Sequence, residues 1–284
     1  MLRAAFVMLW LGFQVLTGVG QAPAQEDLSA LVTKTQDAVV QVTGYDKDGK
    51  LTKIGNGVFI APEGHLLTHR SLILGPVKLL IRTGANHDYP VKAVLADDKV
   101  SDLARLQVDP PGAPWPYLKL AAAAPHLGSR VMVLGYGKKM ESTVLEGMVS
   151  SIREFLGYRI MVITAAIPAN AEGAAVLNMK GELVGSAGSG THEGKDIDFA
   201  IPVPPALLKK EASPQPFADW SAAHAAEACE TYVSRAARAL RKGDKAWAIT
   251  HAQRAVSIRA DSAQAHYYLG QAYLLSQRLT EAEK

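Results

Sequence analysis

The feature that most constrains this chain is a series of about eleven short, strand-like segments between residues 37 and 204. Each segment is rich in β-branched or other apolar residues, and Gly, Pro, Asp and Asn separate the segments at roughly ten-residue spacing. Because no long helical period stands between them, the pattern predicts an all-β domain. Antiparallel barrels close their own edges and are compatible with this spacing. The stretches APEG (61–64) and NMKGE (178–182) are predicted hairpin turns.

Composition limits the classes of partner. The chain has 284 residues, of which 48% are apolar and 20% charged, so it can bury one sizeable core plus a smaller domain. The formal net charge is +3, and no block of Lys and Arg is present. This mild charge predicts neither nucleic-acid binding nor attachment to an anionic membrane. No pair of histidines has the spacing of a zinc site, so neither a metal nor a cofactor is predicted.

The N-terminus has the pattern of an export signal. Arg3 precedes an apolar run over residues 4–20, and Ala22 and Ala24 follow it. A basic start, an apolar centre and a small-residue cleavage site are typical of a signal peptide, here residues 1–24, cut after Ala24. The alternative is an uncleaved membrane anchor, for which the run is short. Either interpretation predicts an exported protein, periplasmic or secreted, and cleavage would leave no membrane association.

Beyond the β-type region, the chain changes character. The stretch 209–220 contains Pro and charged residues and is predicted to be a linker. Residues 221–284 are Ala-rich and helical in pattern, and they contain the chain's single cysteine, Cys229. A lone cysteine excludes an intrachain disulfide, and its Ala-rich setting predicts a buried, unreactive thiol.

The helical stretch repeats with an offset of 34 residues, so that Ala236 corresponds to Gly270 and Ala248 to Ala282. This is the period of a tetratricopeptide (TPR) helix pair, and a plain α-hairpin is the alternative. The second repeat stops inside its second helix at Lys284. Because a helix cut there cannot cover its partner, we expect the natural chain to continue.

Three β-region segments, at 55–73, at 97–109 and at 165–185 followed by 198–203, stand in an order that resembles the HtrA/DegP family of trypsin-like serine peptidases. The segment at 143–152 resembles the family's strand before the substrate-binding loops. The resemblance implies a mainly β fold, a trypsin-like double β-barrel, which we place at residues 30–208. In that family the first three segments present, in turn, a general base, a carboxylate that orients it, and a nucleophile beside the oxyanion-hole amides.

The family's three catalytic positions fall on Ser71, Asp102 and Glu172, and its oxyanion-hole loop falls on Asn170, Ala171 and Glu172. The carboxylate is kept, but Ser stands at the position of the base and Glu at that of the nucleophile. Glu is a poor acyl nucleophile, and a Ser hydroxyl cannot take up a proton near neutral pH. The resemblance therefore implies that no intact catalytic residue remains. Without imidazole, Asp102 is expected to bond the Ser71 hydroxyl and nearby backbone amides.

Neighbouring residues offer substitutes that the sequence does not favour. His69 lies two residues before Ser71, a shift of several ångströms along a turn, whereas catalysis suffers from about one. Ser186 and Ser189 belong to the strand that would line the specificity pocket. The ordinary interpretation of such residues is a solvated polar group, and the remaining histidines of this region are interpreted the same way: His65, His87, His126 and His192.

The sequence thus predicts an exported pseudoprotease that binds an extended peptide or protein partner in the remnant cleft by strand addition. The TPR groove would bind a second partner. One alternative is an active HtrA-like endopeptidase with a non-standard catalytic arrangement. Another is a β domain that serves only as a platform for the repeats.

Overall fold

The computed structural model describes residues 28–109, 112, 114–155, 158–168, 170–192, 195–209 and 214–282. The predicted signal peptide, residues 1–24, lies outside these ranges. The strands are β1 (Val39–Tyr45), β2 (Leu51–Ala61), β3 (His65–His69), β4 (Lys78–Arg82), β5 (Asp88–Pro90), β6 (Ala93–Asp98), β7 (Leu103–Gln107), β8 (Arg130–Tyr136), β9 (Ser142–Phe155), β10 (Tyr158–Ile163), β11 (Ala175–Leu177), β12 (Leu183–His192), β13 (Lys195–Ile201) and β14 (Gln215–Pro216). The helices are α1 (Leu28–Thr35), α2 (Arg70–Ile73), α3 (Pro205–Leu208), α4 (Phe217–Ala223), α5 (Ala225–Arg241), α6 (Lys245–Ile258), α7 (Ala263–Leu275) and α8 (Leu279–Ala282).

The strands form two units. The first is an eight-stranded antiparallel sheet in the order β14-β6-β7-β3-β2-β1-β4-β5, and the second is a closed barrel in the order β10-β13-β12-β11-β8-β9. The predicted mainly β, trypsin-like fold is therefore confirmed, with one closed barrel and one half-barrel in place of two closed barrels. Gly64 ends the predicted turn at 61–64 with φ of 90°, a conformation that residues other than Gly rarely adopt.

The two units differ in how they bury apolar side chains. The closed barrel has its own core, which includes Val131, Val133 and Val176. The core of the first sheet includes Phe59 and Leu66, together with residues of the helical region named below. A third cluster joins the two units and contains residues from both, such as Val58, Leu67, Met132 and Leu134.

The segment 209–220 is described at residues 209 and 214–220, and residues 214–220 differ from the expected linker. Strand β14 pairs with β6, and the N–H of Phe217 donates to the carbonyl of Lys92 at 3.0 Å. Phe217 and Trp220, in α4, are buried in the core of the first sheet. The linker prediction rested on the Pro and charged residues that dominate this stretch, and it gave no weight to Phe217 and Trp220.

Helices follow in the C-terminal region, as its composition predicts. Gly243 lies in the turn between α5 and α6, and Ser262 caps α7 by accepting a hydrogen bond from the N–H of Ala265 at 3.3 Å. Cys229 is buried beside Tyr232 and Val233. Within the part of the chain that is described, the helices are all too short or too polar to cross a bilayer.

Candidate functional site

Ser71 and Asp102 form the first half of the site. Strand β3 runs into the short helix α2, which carries Ser71, and Asp102 precedes β7. The Ser71 hydroxyl donates to Asp102 Oδ2 at 2.7 Å, and the Ser71 backbone N–H donates to Asp102 Oδ1 at 2.8 Å. The hydrogen bonds expected from the sequence for this carboxylate are therefore present. The backbone of Asp102 is left-handed, with φ of 54°, which Asp tolerates better than most residues.

The loop that contains Glu172 forms the second half, and Asn56 of β2 holds it in place. The Glu172 carbonyl accepts the N–H of Asn56 at 2.7 Å. The buried Asn56 side chain donates to the carbonyls of Tyr136 and Asn170 at 3.1 and 3.4 Å. A Cβ at the next residue, Gly173, would approach the Asn56 carbonyl oxygen to 2.1 Å. Only Gly allows this close approach between the loop and the first sheet.

The backbone amides of this loop differ in their hydrogen bonding. The N–H of Ala171 donates to the carbonyl of Pro168 at 2.8 Å, and that of Gly173 to the carbonyl of Ala187 at 2.9 Å. Within the described ranges, the N–H groups of Asn170 and Glu172 have no backbone acceptor. Unengaged loop amides of this kind can donate to a bound ligand.

A cavity of about 240 Å³ lies between the two units, and Asp102 and Glu172 both line it. Strands β12 and β13 supply its apolar walls through Gly188, Ile197 and Phe199. Ser189 also lines this cavity, as the sequence predicted for the specificity-pocket strand. The structure thus brings Asp102 and Glu172 to one cavity and binds Ser71 directly to Asp102.

His69 is the site residue that sequence reasoning missed. It is buried, 4% exposed, and lines the same cavity, so it is not a solvated surface group. Its Nδ1 is 3.8 Å from Asp102 Oδ2, beyond hydrogen-bond distance, and within the described chain its Nε2 has no partner. No local pattern in the sequence indicates this position. His69 ends β3 and Ser71 lies in α2, so the strand-to-helix turn sets the direction of each side chain.

Burial lowers the pKa of His69, although the carboxylates of Asp102 and Glu172 act in the opposite direction. The imidazole is therefore neutral near pH 7. No hydroxyl lies within hydrogen-bond distance of either of its ring nitrogens, as far as the described residues extend. The pairing of a base with a nucleophile that acyl transfer requires is not formed.

Comparison with known proteins concerns the domain that carries this site. Residues 55–185 match the family model described as a trypsin-like peptidase domain. A DegP-like probable periplasmic serine endoprotease of Pseudomonas savastanoi pv. phaseolicola is 28% identical over 170 residues, which cover 57% of this chain and 35% of that protein. The chain contains a trypsin-like peptidase domain of the HtrA/DegP type.

A further curated relative and a solved structure are also similar to this chain. The anti-sigma-I factor RsgI9 of Acetivibrio thermocellus is 27% identical over 166 residues, covering 58% of this chain and 23% of that protein. The solved structure of the HtrA-type protease AlgW with tripeptide has a TM-score of 0.55 at 22% identity, covering 62% of this chain and 60% of that one. The chain thus spans well under half the length of the two curated relatives named here.

The helical region contacts the peptidase domain directly beside Ser71, through Arg70. The buried Arg70 guanidinium donates to Asp97 Oδ2 at 2.6 Å and, through two nitrogens, to Glu227 of α5 at 3.0 and 2.7 Å. It also lies over the Trp220 ring, 5.6 Å from the centroid. The hydrogen bonds from Arg70 lower the pKa of Glu227 to about 2, and the hydrogen bond and charge of Lys99 contribute, against the effect of burial. The helices therefore fix the turn that carries Ser71.

Lys53 of β2 forms a second contact between the site and the helices. Its ammonium lies 5.3 Å from the centroid of the Tyr232 ring on α5. Burial, followed by the positive charge of Arg235, lowers the pKa of Lys53 to about 8, while Glu172 and Asp102 counteract this change. Lys53 therefore stands between the carboxylates of the cavity and the cations of the helices. Nothing in the local sequence of β2 indicated this position, because the contacts join distant segments.

Proposed function

We propose that this chain is an exported, catalytically inactive homologue of the HtrA/DegP peptidases that binds an extended peptide in the cleft between its two β units. The observation that carries the proposal is the hydrogen bond from Ser71 Oγ to Asp102 Oδ2 at 2.7 Å. A hydroxyl thus takes the carboxylate that would otherwise orient an imidazole base. At the opposite side of the cavity, Glu172 brings negative charge where acyl transfer would require stabilisation of an oxyanion.

The edge of β12 supports peptide binding. The pairing of β12 with β11 and the adjoining loop ends near Ala187, whereas its pairing with β13 continues to His192. The backbone of residues 188–190 therefore has a free edge along the cavity within the described chain. An extended peptide can add to such an edge as another strand and place an apolar side chain in the cavity.

Two further parts of the proposal concern compartment and partners. The signal-like residues 1–24 and the periplasmic description of the Pseudomonas relative support export. The helical hairpins α5–α6 and α7–α8, together with the 34-residue sequence repeat, support a TPR character and a second protein-binding surface.

Labelling with a fluorophosphonate probe, combined with a casein cleavage assay, tests the inactivity. We expect neither labelling nor cleavage by the wild-type protein. A Ser71→His/Glu172→Ser double variant restores a base and a nucleophile at the two positions, and we expect it to gain labelling. Wild-type labelling that is lost in Ser189→Ala or Ser186→Ala would overturn the proposal.

An active endopeptidase is the second candidate, and the burial of His69 beside Asp102 in the cavity favours it. This candidate requires ligand binding to bring Nδ1 within hydrogen-bond distance of the carboxylate and a serine to the imidazole. Casein cleavage by the wild-type protein that His69→Ala abolishes would establish it. The absence of cleavage in both proteins would exclude it for this substrate.

A phage-displayed library of random peptides tests the binding function. We expect the wild-type protein to enrich extended sequences with an apolar residue. Gly190→Val narrows the cavity, since a Cβ there lies 3.5 Å from the Phe199 ring, and should abolish capture. Ala122→Val, on an exposed loop, is the control and should leave capture unchanged. Equal capture by the Gly190→Val variant would place the binding site outside the cleft.

A further inference from the structure

A groove of about 270 Å³ lies between the C-terminal half of α5 and the N-terminal half of α6. Arg235 and Arg238 of α5 line it together with Lys242, which directly follows α5, and Trp247 and His251 line it from α6. Trp247 is 58% exposed, although Trp is usually buried, so the groove presents a large aromatic surface to solvent. The neighbouring Tyr232 ring contacts both His251 and the Arg235 guanidinium.

The charges of this groove are unbalanced. Within the described chain, none of its three cations has a carboxylate at ion-pair distance. Its single carboxylate, Asp244, caps α6 by accepting the backbone N–H of Trp247 at 3.0 Å. Burial and then the positive charges of Arg235, Lys53 and Arg254 lower the pKa of His251 to about 4. The groove is therefore positive and its imidazole neutral at pH 7.

The groove adjoins the cleft and is not an isolated patch of a remote domain. Lys53, which contacts Tyr232, lines a shallow depression together with Lys138 and Asn170. Asn170 lies two residues before Glu172. The helical hairpin also contacts the turn that follows β1, where Arg254 donates to Asp46 at 2.8 Å. Lys53 thus links the two sites, because its charge interacts with Glu172 and Asp102 of the cavity and with Arg235 of the groove.

The spacing of the cations fits an extended chain. Positions 235 and 238 of α5 and the capping position 242 lie three and four residues apart and span about 10 Å along the helix axis. Alternate residues of an extended peptide are about 7 Å apart on one face. Two acidic side chains on that face can therefore each reach one of these cations, and the Trp247 ring can pack against the aliphatic parts of their side chains.

We propose that the α5–α6 groove binds an acidic segment of the peptide or protein partner whose neighbouring residues occupy the cleft. The inference rests on the proposed binding function and adds the chemistry of the partner. In this arrangement the cavity accepts an apolar side chain of the partner. The α5–α6 groove, on the other side of Lys53, binds carboxylates of the same partner. A partner with acidic residues next to its cleft-bound segment would therefore bind more tightly than an unfolded chain of arbitrary sequence.

Fluorescein-labelled hexaglutamate is the probe, and fluorescence anisotropy at low ionic strength gives its affinity. We expect saturable binding that weakens as salt is added, because the contacts are exposed ion pairs. An Arg238→Glu/Lys242→Glu double variant, with both positions exposed, should lose affinity by at least about tenfold. Arg241→Glu, on the same helix and outside the groove, is the matched control and should lose less than about twofold.

Three outcomes would overturn the inference: no saturable binding of hexaglutamate, equal binding by the double variant and the wild type, or binding of phosphatidylglycerol vesicles but not of hexaglutamate. Circular dichroism of each variant excludes misfolding as the cause of a loss. If hexaglutamate fails while the Gly190→Val-sensitive capture of library peptides persists, the cleft function stands and only the groove assignment falls. Fluorophosphonate labelling of the wild type would instead contradict the proposed inactivity.

Discussion

The two β units of this molecule close their cores in different ways. In the second unit, the pairing of β9 with β10 closes a barrel whose core cluster contains only residues of that region. The first unit is an eight-stranded sheet, and Phe217, Trp220 and Ala228 of the helical region complete its core. A closed barrel can satisfy its own edges and interior, whereas an open sheet needs another layer over its apolar face.

This difference explains why the helical region cannot be regarded as a separate attachment. The residues that cover the first sheet belong to α4 and α5, which also carry Glu227, the partner of Arg70. Burial of the helices and the position of the Ser71 turn are therefore linked. The Glu172 loop, in contrast, belongs to the self-contained barrel and contacts the first sheet through Asn56.

The largest expected effect comes from removing the aromatic anchor of the first unit. Trp220→Ala should lower the free energy of unfolding by about 3–5 kcal/mol, because a large buried side chain is lost and a cavity remains. Urea unfolding followed by far-UV circular dichroism measures the change. Val176→Ala, in the core of the closed barrel, should cost about 1–3 kcal/mol without affecting hydrogen exchange in α4 and α5. An equal loss of protection in those helices in both variants would erase the distinction between the two units.

Arg70→Met should cost about 3 kcal/mol, since it leaves Asp97 and Glu227 without their shared cation. The matched control is Lys99→Met, which removes a mostly exposed partner of the same Glu227 and should cost less than about 1 kcal/mol. Urea unfolding again provides the measurement. Similar costs for the two variants would mean that the helical region is held by apolar contacts alone.

Acid should weaken the attachment of the helices in two steps. The pKa of His251 is about 4 in the folded protein against an ordinary 6.5, so the unfolded chain binds the proton more readily and stability falls as pH drops from 6.5 to 4. The pKa of Glu227 is about 2 against 4.5, so its stabilisation is complete above pH 4.5 and is lost as pH falls toward 2. Thermal unfolding from pH 7 to pH 2 tests both windows. His251→Gln should flatten the upper window and Glu227→Gln the lower one; a wild-type profile in either variant would refute its assignment.

The smallest effect is expected at the remnant site itself. Ser71→Ala removes the hydrogen bond to Asp102 but leaves the Ser71 backbone donor in place, and the Asp102 side chain is 42% exposed to water. We expect a loss of about 1 kcal/mol. Ser150→Ala, which removes an exposed hydroxyl bond to the carbonyl of Val162, is a comparison of similar chemistry. A loss of more than about 3 kcal/mol in the free energy of unfolding of Ser71→Ala would show that the Ser71–Asp102 pair is essential for the stability of the fold.

Strand spacing predicted the mainly β fold. The motifs that resemble the HtrA/DegP family predicted that Ser71 would bond Asp102, because each motif is a short segment that can be recognised by itself. Other parts could not be found in this way. Arg70 and Glu227 lie 157 positions apart, so no local pattern joins them. Phe217 and Trp220 stand among Pro and charged residues whose average suggests a linker. The burial of His69 was not predictable either, because the turn from β3 into α2 sets the direction of its side chain and neither strand alternation nor a helical period spans that turn.

The burial of Cys229 has a practical consequence. It is the chain's single thiol, and it is 3% exposed, enclosed between packed helices. A maleimide dye will therefore attach to any cysteine engineered on the surface long before it reaches the native one, which makes site-specific fluorophores straightforward. The rate at which a maleimide modifies Cys229 in the wild-type protein, in turn, reports how often α5 separates from the neighbouring helices.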